Sequence, residues 1–172
     1  MTVKGIEKSL DELRQKVRVL EDIENIKKLK AQYCAYCDDN FDADGVASLF
    51  VEKSIWNGGK NFGKYSGREA IRKFIAGASK DVTFSAHMVL NPTIEVNGNK
   101  ATGTWYLWMP TTFANEGGKQ AMWLLGRYDE EYIRTKAPRN DRFGGWRFKS
   151  LKVKTFFLAP YEEGWQKQRS PS

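Results

Sequence analysis

The chain has 172 residues, of which 41% are hydrophobic and 13% aromatic, so it can bury a core and falls outside the disordered class of sequences. Its formal net charge is +7, but the basic residues are dispersed and form no stripe with regularly spaced aromatic residues, which disfavours nucleic-acid binding. No apolar run reaches the length of a membrane span, the N-terminus lacks a signal peptide, and two cysteines are too few for a disulfide scaffold, so we expect a cytoplasmic protein without a membrane partner.

The first predicted element is a long amphipathic helix over residues 3–38. Its apolar side chains recur at spacings of three and four residues: Ile6, Leu10, Leu13, Val17 and Leu20. We treat residues 1–21 as a helical extension and residues 22–160 as the folded domain. The extension packs either on a partner subunit or on the protein's own sheet.

Shorter elements follow this helix. Asp42 or Asp44 can cap a short helix that runs to about residue 50, and residues 54–56 form a short strand. Glycine-rich residues 57–66 form a hairpin or loop, and residues 70–78 form a helix.

The second half of the chain consists of predicted strands. Apolar and polar residues alternate over residues 82–91, and further strands are expected at 93–96, 100–112, 119–134 and 145–158. Residues 161–172 form a polar, frayed tail. Helices followed by consecutive strands indicate an α+β fold, in which a curved antiparallel sheet wraps around the N-terminal helices as a cone-shaped barrel with an open mouth.

The only histidine, His87, is the first candidate catalytic residue. An imidazole can act as a general base near neutral pH, and a neighbouring carboxylate fixes its tautomer and stabilises the protonated form. Asp38 is suited to this role because a carboxylate at a helix C-terminus is disfavoured by the helix dipole and needs a partner. Considered alone, His87 could also be a half-exposed strand residue, and Asp38 a solvated carboxylate.

Tyr33 is the third candidate, five residues before Asp38 and about 140° from it around the helix. Its hydroxyl could hydrogen-bond a substrate carbonyl or protonate a leaving group. It could equally be a core tyrosine with a satisfied hydroxyl. Cys34 and Cys37 form a C-x-x-C pattern, but they lie near a helix C-terminus, so we interpret them as packing residues.

Aromatic residues of the long strands are candidates for substrate binding. Alternation places neighbouring residues on opposite faces, so one set lines the cavity while the other packs on the helices or on a partner subunit. The candidate substrate-binding residues are Trp105, Tyr106, Trp108, Trp123, Tyr128 and Asn91.

An ordered set of short motifs resembles the SnoaL-like, nuclear-transport-factor-like superfamily over roughly residues 22–158. The segments that carry the resemblance are Ile26-x-x-Leu29-x-x-x-Tyr33-x-x-x-x-Asp38, Ser66-Gly67-Arg68-Glu69-Ala70-Ile71, His87-Met88-x-x-Asn91-Pro92, Gly126-Arg127-Tyr128-Asp129 and Gly145-Trp146-Arg147-Phe148. Members with a similar pattern include bile-acid 7α-dehydratase, scytalone dehydratase, hexachlorocyclohexane dehydrochlorinase and polyketide cyclases.

The resemblance implies an enzyme of a particular kind. It implies a lyase or isomerase that uses an Asp–His pair, here Asp38 and His87 with Tyr33, needs no metal or organic cofactor, acts on a hydrophobic carbonyl compound and assembles as a homo-oligomer, a trimer or dimer. A cavity lined by the aromatic strand residues would suit a polycyclic substrate such as a steroid. The alternative is a non-catalytic module that binds a hydrophobic molecule or a protein. Eliminating relatives often carry an arginine in the last strand, where this chain has Leu151 and Thr155; Lys152 or Lys154 could replace it only by pointing inward.

Overall fold

The computed structural model describes residues 3–138 and 140–168. The four helices are α1 (Val3–Asp38), α2 (Ala43–Ser48), α3 (Gly59–Phe62) and α4 (Arg68–Asp81). The seven strands are β1 (Phe50–Asn57), β2 (Lys64–Ser66), β3 (Val82–Ser85), β4 (Met88–Asn97), β5 (Lys100–Asn115), β6 (Gly118–Arg134) and β7 (Trp146–Pro160). None of the helices in these residues is both long and apolar enough to cross a membrane.

All seven strands belong to one curled sheet that wraps the helices. The strand order is β2-β1-β7-β6-β5-β3, and β4 also pairs with β5. Every pairing is antiparallel except that of β1 with β7, which is parallel. The predicted α+β architecture is therefore confirmed, with one parallel strand pair that the antiparallel prediction did not include.

The core lies between the inner face of the sheet and the second half of α1. Ile26, Leu29 and Tyr33 of this helix are buried, and they pack against Phe50 and Phe148 among other core residues. Residues 6–20 of the same helix are exposed, including the apolar stripe of the extension. The extension therefore does not lie on its own sheet.

The alternating segment after α4 is two strands rather than one. β3 pairs with one part of β5 and β4 with another, and residues 86 and 87 lie in the gap between them. β4 itself continues through the segment predicted as separate, with an irregularity between Leu90 and Thr93. Pro92 lacks an N–H group for the ladder, and Asn91 has a positive φ of 48° there.

The C-terminal tail is not frayed over its described part. Residues 161–167 form turns, and the Tyr161 N–H donates to the Ala121 carbonyl. Trp165 lies edge-on to Trp108 at a centroid distance of 5.6 Å and covers part of the outer face of the sheet. Residues 169–172 of the predicted tail lie outside the described residues.

Candidate active site

A cavity with a volume of about 470 Å³ opens between the helices and the inner face of the sheet. Its wall is mostly apolar and aromatic. The residues that line it are Tyr33, Cys37, Phe41, Trp56, Asn61, Phe62, Tyr65, Phe74, Ile75, Ala78, Asp81, Val82, His87, Leu107, Met109, Phe113, Leu124, Tyr128 and Val153. This size and this lining are typical of a small-molecule site.

His87 and Asp38 form a close pair at the wall of this cavity. The distance from His87 Nδ1 to Asp38 Oδ1 is 2.6 Å. The His87 side chain is 9% exposed, whereas the Asp38 side chain is 33% exposed and is partly accessible to solvent. Because Nδ1 faces the carboxylate, the neutral imidazole carries its proton on Nδ1, and Nε2 remains as the basic nitrogen.

The strand gap explains how this pair is assembled. His87 lies between β3 and β4, so its backbone N–H is free to donate to both carboxylate oxygens of Asp38, at 3.0 and 3.1 Å. The Ser85 hydroxyl donates to Oδ1 at 3.3 Å. These donors offset the unfavourable position of a carboxylate at the C-terminal end of α1.

Tyr33 combines the two roles that the sequence left open. It is a buried core residue, and its hydroxyl accepts a hydrogen bond from Trp56 Nε1 at 3.0 Å. Tyr33 and Cys37 both line the cavity. Burial raises the pKa of Tyr33 well above its usual value, so the hydroxyl stays protonated and can donate.

Cys34 and Cys37 are both buried and unpaired by a disulfide. Burial raises the pKa of the Cys34 thiol to about 11 and that of Cys37 further. Neutral thiols of this kind are poor nucleophiles and metal ligands, which agrees with their interpretation as packing residues. Within residues 3–138 and 140–168, no group of three or more histidine, cysteine, aspartate and glutamate side chains could hold a metal ion.

The structure brings only Tyr128 of the proposed substrate-binding residues to the cavity wall. Trp105 shares the inner face of β5 but is buried beside Tyr132, to whose hydroxyl its Nε1 donates at 3.1 Å. Asn91 is exposed at the irregularity of β4 and is not one of the lining residues.

Tyr106, Trp108 and Trp123 require a correction, because they lie on the outer face of the sheet. On β5 the buried residues are the odd-numbered ones, so residues 106 and 108 point away from the helices. Trp108 stacks on Trp123 with ring centroids 5.0 Å apart, outside the cavity. Of the two faces that the sequence left open, the inner one lines the cavity, through Leu107 and Met109.

An aromatic wall built by the short elements was not predicted. Tyr65 of β2 stacks on Phe74 of α4 at 4.1 Å, and Trp56 of β1 lies 4.6 Å from the same ring. A Cβ at Gly58 would meet the Trp56 ring at 2.7 Å, so this glycine permits the close approach. The spacing of residues 71, 74, 75 and 78 on one helix face was a signal for this wall.

A buried ion pair lies beneath the cavity. Lys30 Nζ contacts Glu130 Oε1 at 2.6 Å, and both side chains are fully buried. The Tyr132 hydroxyl donates to the other oxygen of Glu130. Lys30 Nζ also lies 3.2 Å from the ring centroid of Tyr128. This cation–π contact helps to hold the ring of Tyr128, which lines the cavity.

The sequence matches one family model over most of its length. Residues 18–152 match the model of the SnoaL-like domain. The chain belongs to the SnoaL-like domain family. No curated protein is a significant match to this SnoaL-like chain.

Solved structures similar to this SnoaL-like protein share its fold. A hexachlorocyclohexane dehydrochlorinase from Novosphingobium barchaimii superimposes with a TM-score of 0.68 at 19% identity, over 95% of this chain and 99% of that chain. A candidate scytalone dehydratase from Novosphingobium aromaticivorans has a TM-score of 0.71 at 22% identity, over 86% and 91%. An NTF2-like protein with a cystatin-like fold from the same organism has a TM-score of 0.62 at 27% identity, over 84% and 88%.

Proposed function

We propose that this protein is a lyase or isomerase that acts on an apolar carbonyl compound, with its own side chains as acid and base. The observation that carries the proposal is the 2.6 Å contact between His87 Nδ1 and Asp38 Oδ1 at the wall of an apolar cavity of about 470 Å³. A polarised imidazole that lines an apolar cavity is suited to remove a weakly acidic proton from carbon.

The first step is the same for elimination and isomerisation. His87 Nε2 takes a proton from the carbon next to the carbonyl, and the bonding electrons move onto the carbonyl oxygen to form an enolate. Asp38 stabilises the imidazolium that results. In an elimination, the electrons then return and expel a β substituent; in an isomerisation, the imidazolium returns the proton to a different carbon.

Tyr33 would stabilise the enolate oxygen in this mechanism. Its hydroxyl lines the cavity and accepts from Trp56 Nε1, so its own proton can be donated to a substrate oxygen in the cavity. The hydrogen bond that Tyr33 accepts from Trp56 polarises the hydroxyl and strengthens it as a donor.

The names of two structural neighbours support elimination in particular. One is a dehydrochlorinase and the other a candidate scytalone dehydratase, and both names denote loss of a small molecule from the substrate. The inward-facing residues of β7 are apolar at Leu151 and Val153, while Lys152 and Lys154 are exposed. Neither lysine therefore substitutes for a late arginine, and the leaving group would depart with a proton from His87 or Tyr33.

Proton exchange tests the first step without knowledge of the natural substrate. We expect the wild-type protein to speed the exchange of the α-protons of 2-tetralone in D2O, followed by proton NMR. His87→Ala should slow the catalysed exchange by about 10²- to 10⁴-fold, because the general base is lost. Asp38→Asn should also slow it, whereas Asp39→Asn, at the exposed neighbouring carboxylate, should leave it unchanged.

A binding module gives a different result in the same experiment. Exchange of bound 2-tetralone would then be equally slow in wild-type and His87→Ala protein, although both bind the probe. That outcome would remove the catalytic proposal and leave ligand binding as the role of the cavity.

A further inference from the structure

The carboxylates at the candidate active-site cavity have no lysine or arginine beside them in its lining. Of the described residues that line it, none is a lysine or an arginine. This contrasts with the chain as a whole, which has 28 lysines and arginines and a net charge of +7. The acidic group in the lining is Asp81, and Asp38 lies next to the lining through its contact with His87.

Asp81 differs from Asp38 in having no partner of its own. It is the last residue of α4, where the helix dipole disfavours a carboxylate. Its side chain makes no ion pair or hydrogen bond with the described residues, and it is exposed at the cavity wall. Asp38 in the same kind of position is held by a histidine, a backbone N–H and a serine.

We propose that Asp81 is a specificity-determining residue that selects ligands with a hydrogen-bond donor, a hydroxyl or an ammonium group, attached to an apolar ring system. An ionised carboxylate can only accept hydrogen bonds, so it pairs with such donors and repels carboxylate or phosphate groups. Asn61, the other exposed polar residue of the lining, can accept a hydrogen bond from the same group. The inference rests on the proposed function only in taking this cavity as the substrate site.

Three probes that share a naphthalene ring separate these charges. They are 2-(aminomethyl)naphthalene, which is a cation at neutral pH, 2-naphthol, which is neutral, and 2-naphthoate, which is an anion. In calorimetric titrations of the wild-type protein, the cation and the phenol should each bind about tenfold more tightly than the anion. The difference in affinity between these two probes and the anion should become smaller as salt is added, because Asp81 is exposed and its charge is screened.

Substitution at position 81 provides the decisive comparison. Asp81→Asn should reduce the preference, and Asp81→Lys should remove or reverse it. Asp11→Lys is the matched control, since it changes the net charge by the same amount on the exposed face of α1, far along the chain from the cavity residues. It should keep the wild-type preference.

Several results would overturn the proposal. Equal preferences in the Asp81→Lys and Asp11→Lys proteins would show that Asp81 does not select the ligand. Failure of the cation and the phenol to bind the wild-type protein would also count against it. If the preference for the cation and the phenol over the anion depends on Asp81 but proton exchange does not depend on His87, the specificity proposal stands and the catalytic proposal fails. If proton exchange depends on His87 but the ligand preference does not depend on Asp81, the catalytic proposal stands and the specificity proposal fails.

Discussion

Asp38 holds His87 through both its side chain and its backbone, and substitutions can separate the two. The backbone N–H of residue 87 donates to the carboxylate whichever side chain the residue carries, while the Nδ1 contact needs the imidazole. His87→Ala therefore removes the imidazole and keeps the connection between α1 and the sheet. Asp38→Ala removes both, because every donor in this cluster points to the same carboxylate.

We expect these two variants to differ in stability. Asp38→Ala should lower the free energy of unfolding by about 2–3 kcal/mol, since it leaves donors at the strand gap without a charged acceptor. His87→Ala should lower it by less than about 1 kcal/mol. Urea denaturation followed by circular dichroism measures both values. Equal losses would mean that the backbone contact does not contribute to the fold.

Tyr33→Phe tests the proposed enolate donor. We expect it to slow the catalysed exchange of 2-tetralone by about 100-fold, a size typical of losing one donor to a developing oxyanion. Tyr65→Phe is the control, because it removes a hydroxyl from the same cavity wall and keeps the ring that stacks on Phe74. Similar rates for the two variants would argue against a special role for Tyr33.

The buried Lys30–Glu130 pair makes a prediction about stability. Lys30→Met should lower the free energy of unfolding by about 3–5 kcal/mol, because it leaves a buried carboxylate without its counter-charge. Lys30→Met combined with Glu130→Gln should recover much of this loss, since the amide can still accept the hydrogen bond from Tyr132. A double variant no more stable than Lys30→Met would contradict this account in urea denaturation.

The contact between Asp38 and His87 could be inferred from residue types alone. A single histidine and a carboxylate at a helix end are few enough to suggest a pair, and they lie 2.6 Å apart. The partners of Tyr33 could not be inferred, because Trp56 is 23 residues away along the chain and meets it only after β1 joins the sheet. The same holds for Lys30 and Glu130, which are 100 residues apart.

At the level of elements, the alternation of apolar and polar residues predicted the strands well. It did not indicate which face of the sheet packs against the helices. β5 carries Trp105 and Trp108 on opposite faces, and both faces are rich in aromatic residues, so the pattern gave no direction. The curl of the sheet decides, because the helices fill only its concave side. The interruption between β3 and β4 was equally hidden, since the alternation continues across residues 86 and 87.

The connection between β6 and β7 depends on Asp141. Its carboxylate accepts from the backbone N–H groups of Phe143 and Gly145, at 3.0 and 2.8 Å, and pairs with Arg147 at 2.7 Å. The hydrogen bond from Arg147 is the main cause that lowers the pKa of Asp141 to about 2, and the backbone donors add to it.

This pKa predicts how the stability of the connection depends on pH. Because the folded-state pKa lies below the unfolded one of 3.8, the contribution is present above about pH 4 and is lost as the pH falls towards 2. Asp141→Asn should therefore lower the free energy of unfolding by about 2 kcal/mol near neutral pH, and by much less near pH 2. Urea titrations of both proteins at the two pH values check this; a constant difference would contradict it.

For the whole molecule, the order of helices and strands was enough to predict the fold class. The sequence also showed the apolar stripe of α1, but not where it would lie. In the structure the stripe is exposed: Ile6, Leu10, Leu13, Val17 and Leu20 are each 45–63% accessible to solvent. Their spacing matches the a and d positions of a heptad repeat, with Lys16 and Glu21 on the flanks.

We expect this stripe to pair with the same segment of a second copy. In a parallel pairing, Lys16 of one helix would face the residue equivalent to Glu21 on the other, which adds attraction to the apolar contact. Sedimentation velocity should show self-association that Leu10→Glu with Leu13→Glu weakens. Gln15→Glu, on the opposite side of the helix, is the control. A wild-type protein that sediments as a monomer at all concentrations would contradict the prediction.

The attachment of Asp38 to the backbone of residue 87 has a consequence for natural variation among related chains. An aspartate at position 38 stabilises the fold in any chain with this strand gap, so its retention through evolution would say little about chemistry. At position 87 the contact with the aspartate needs only a backbone N–H, which every residue except proline supplies, so this contact alone gives no reason to retain a histidine. Relatives that keep the aspartate and exchange the histidine would then be the ones that bind ligands without transforming them.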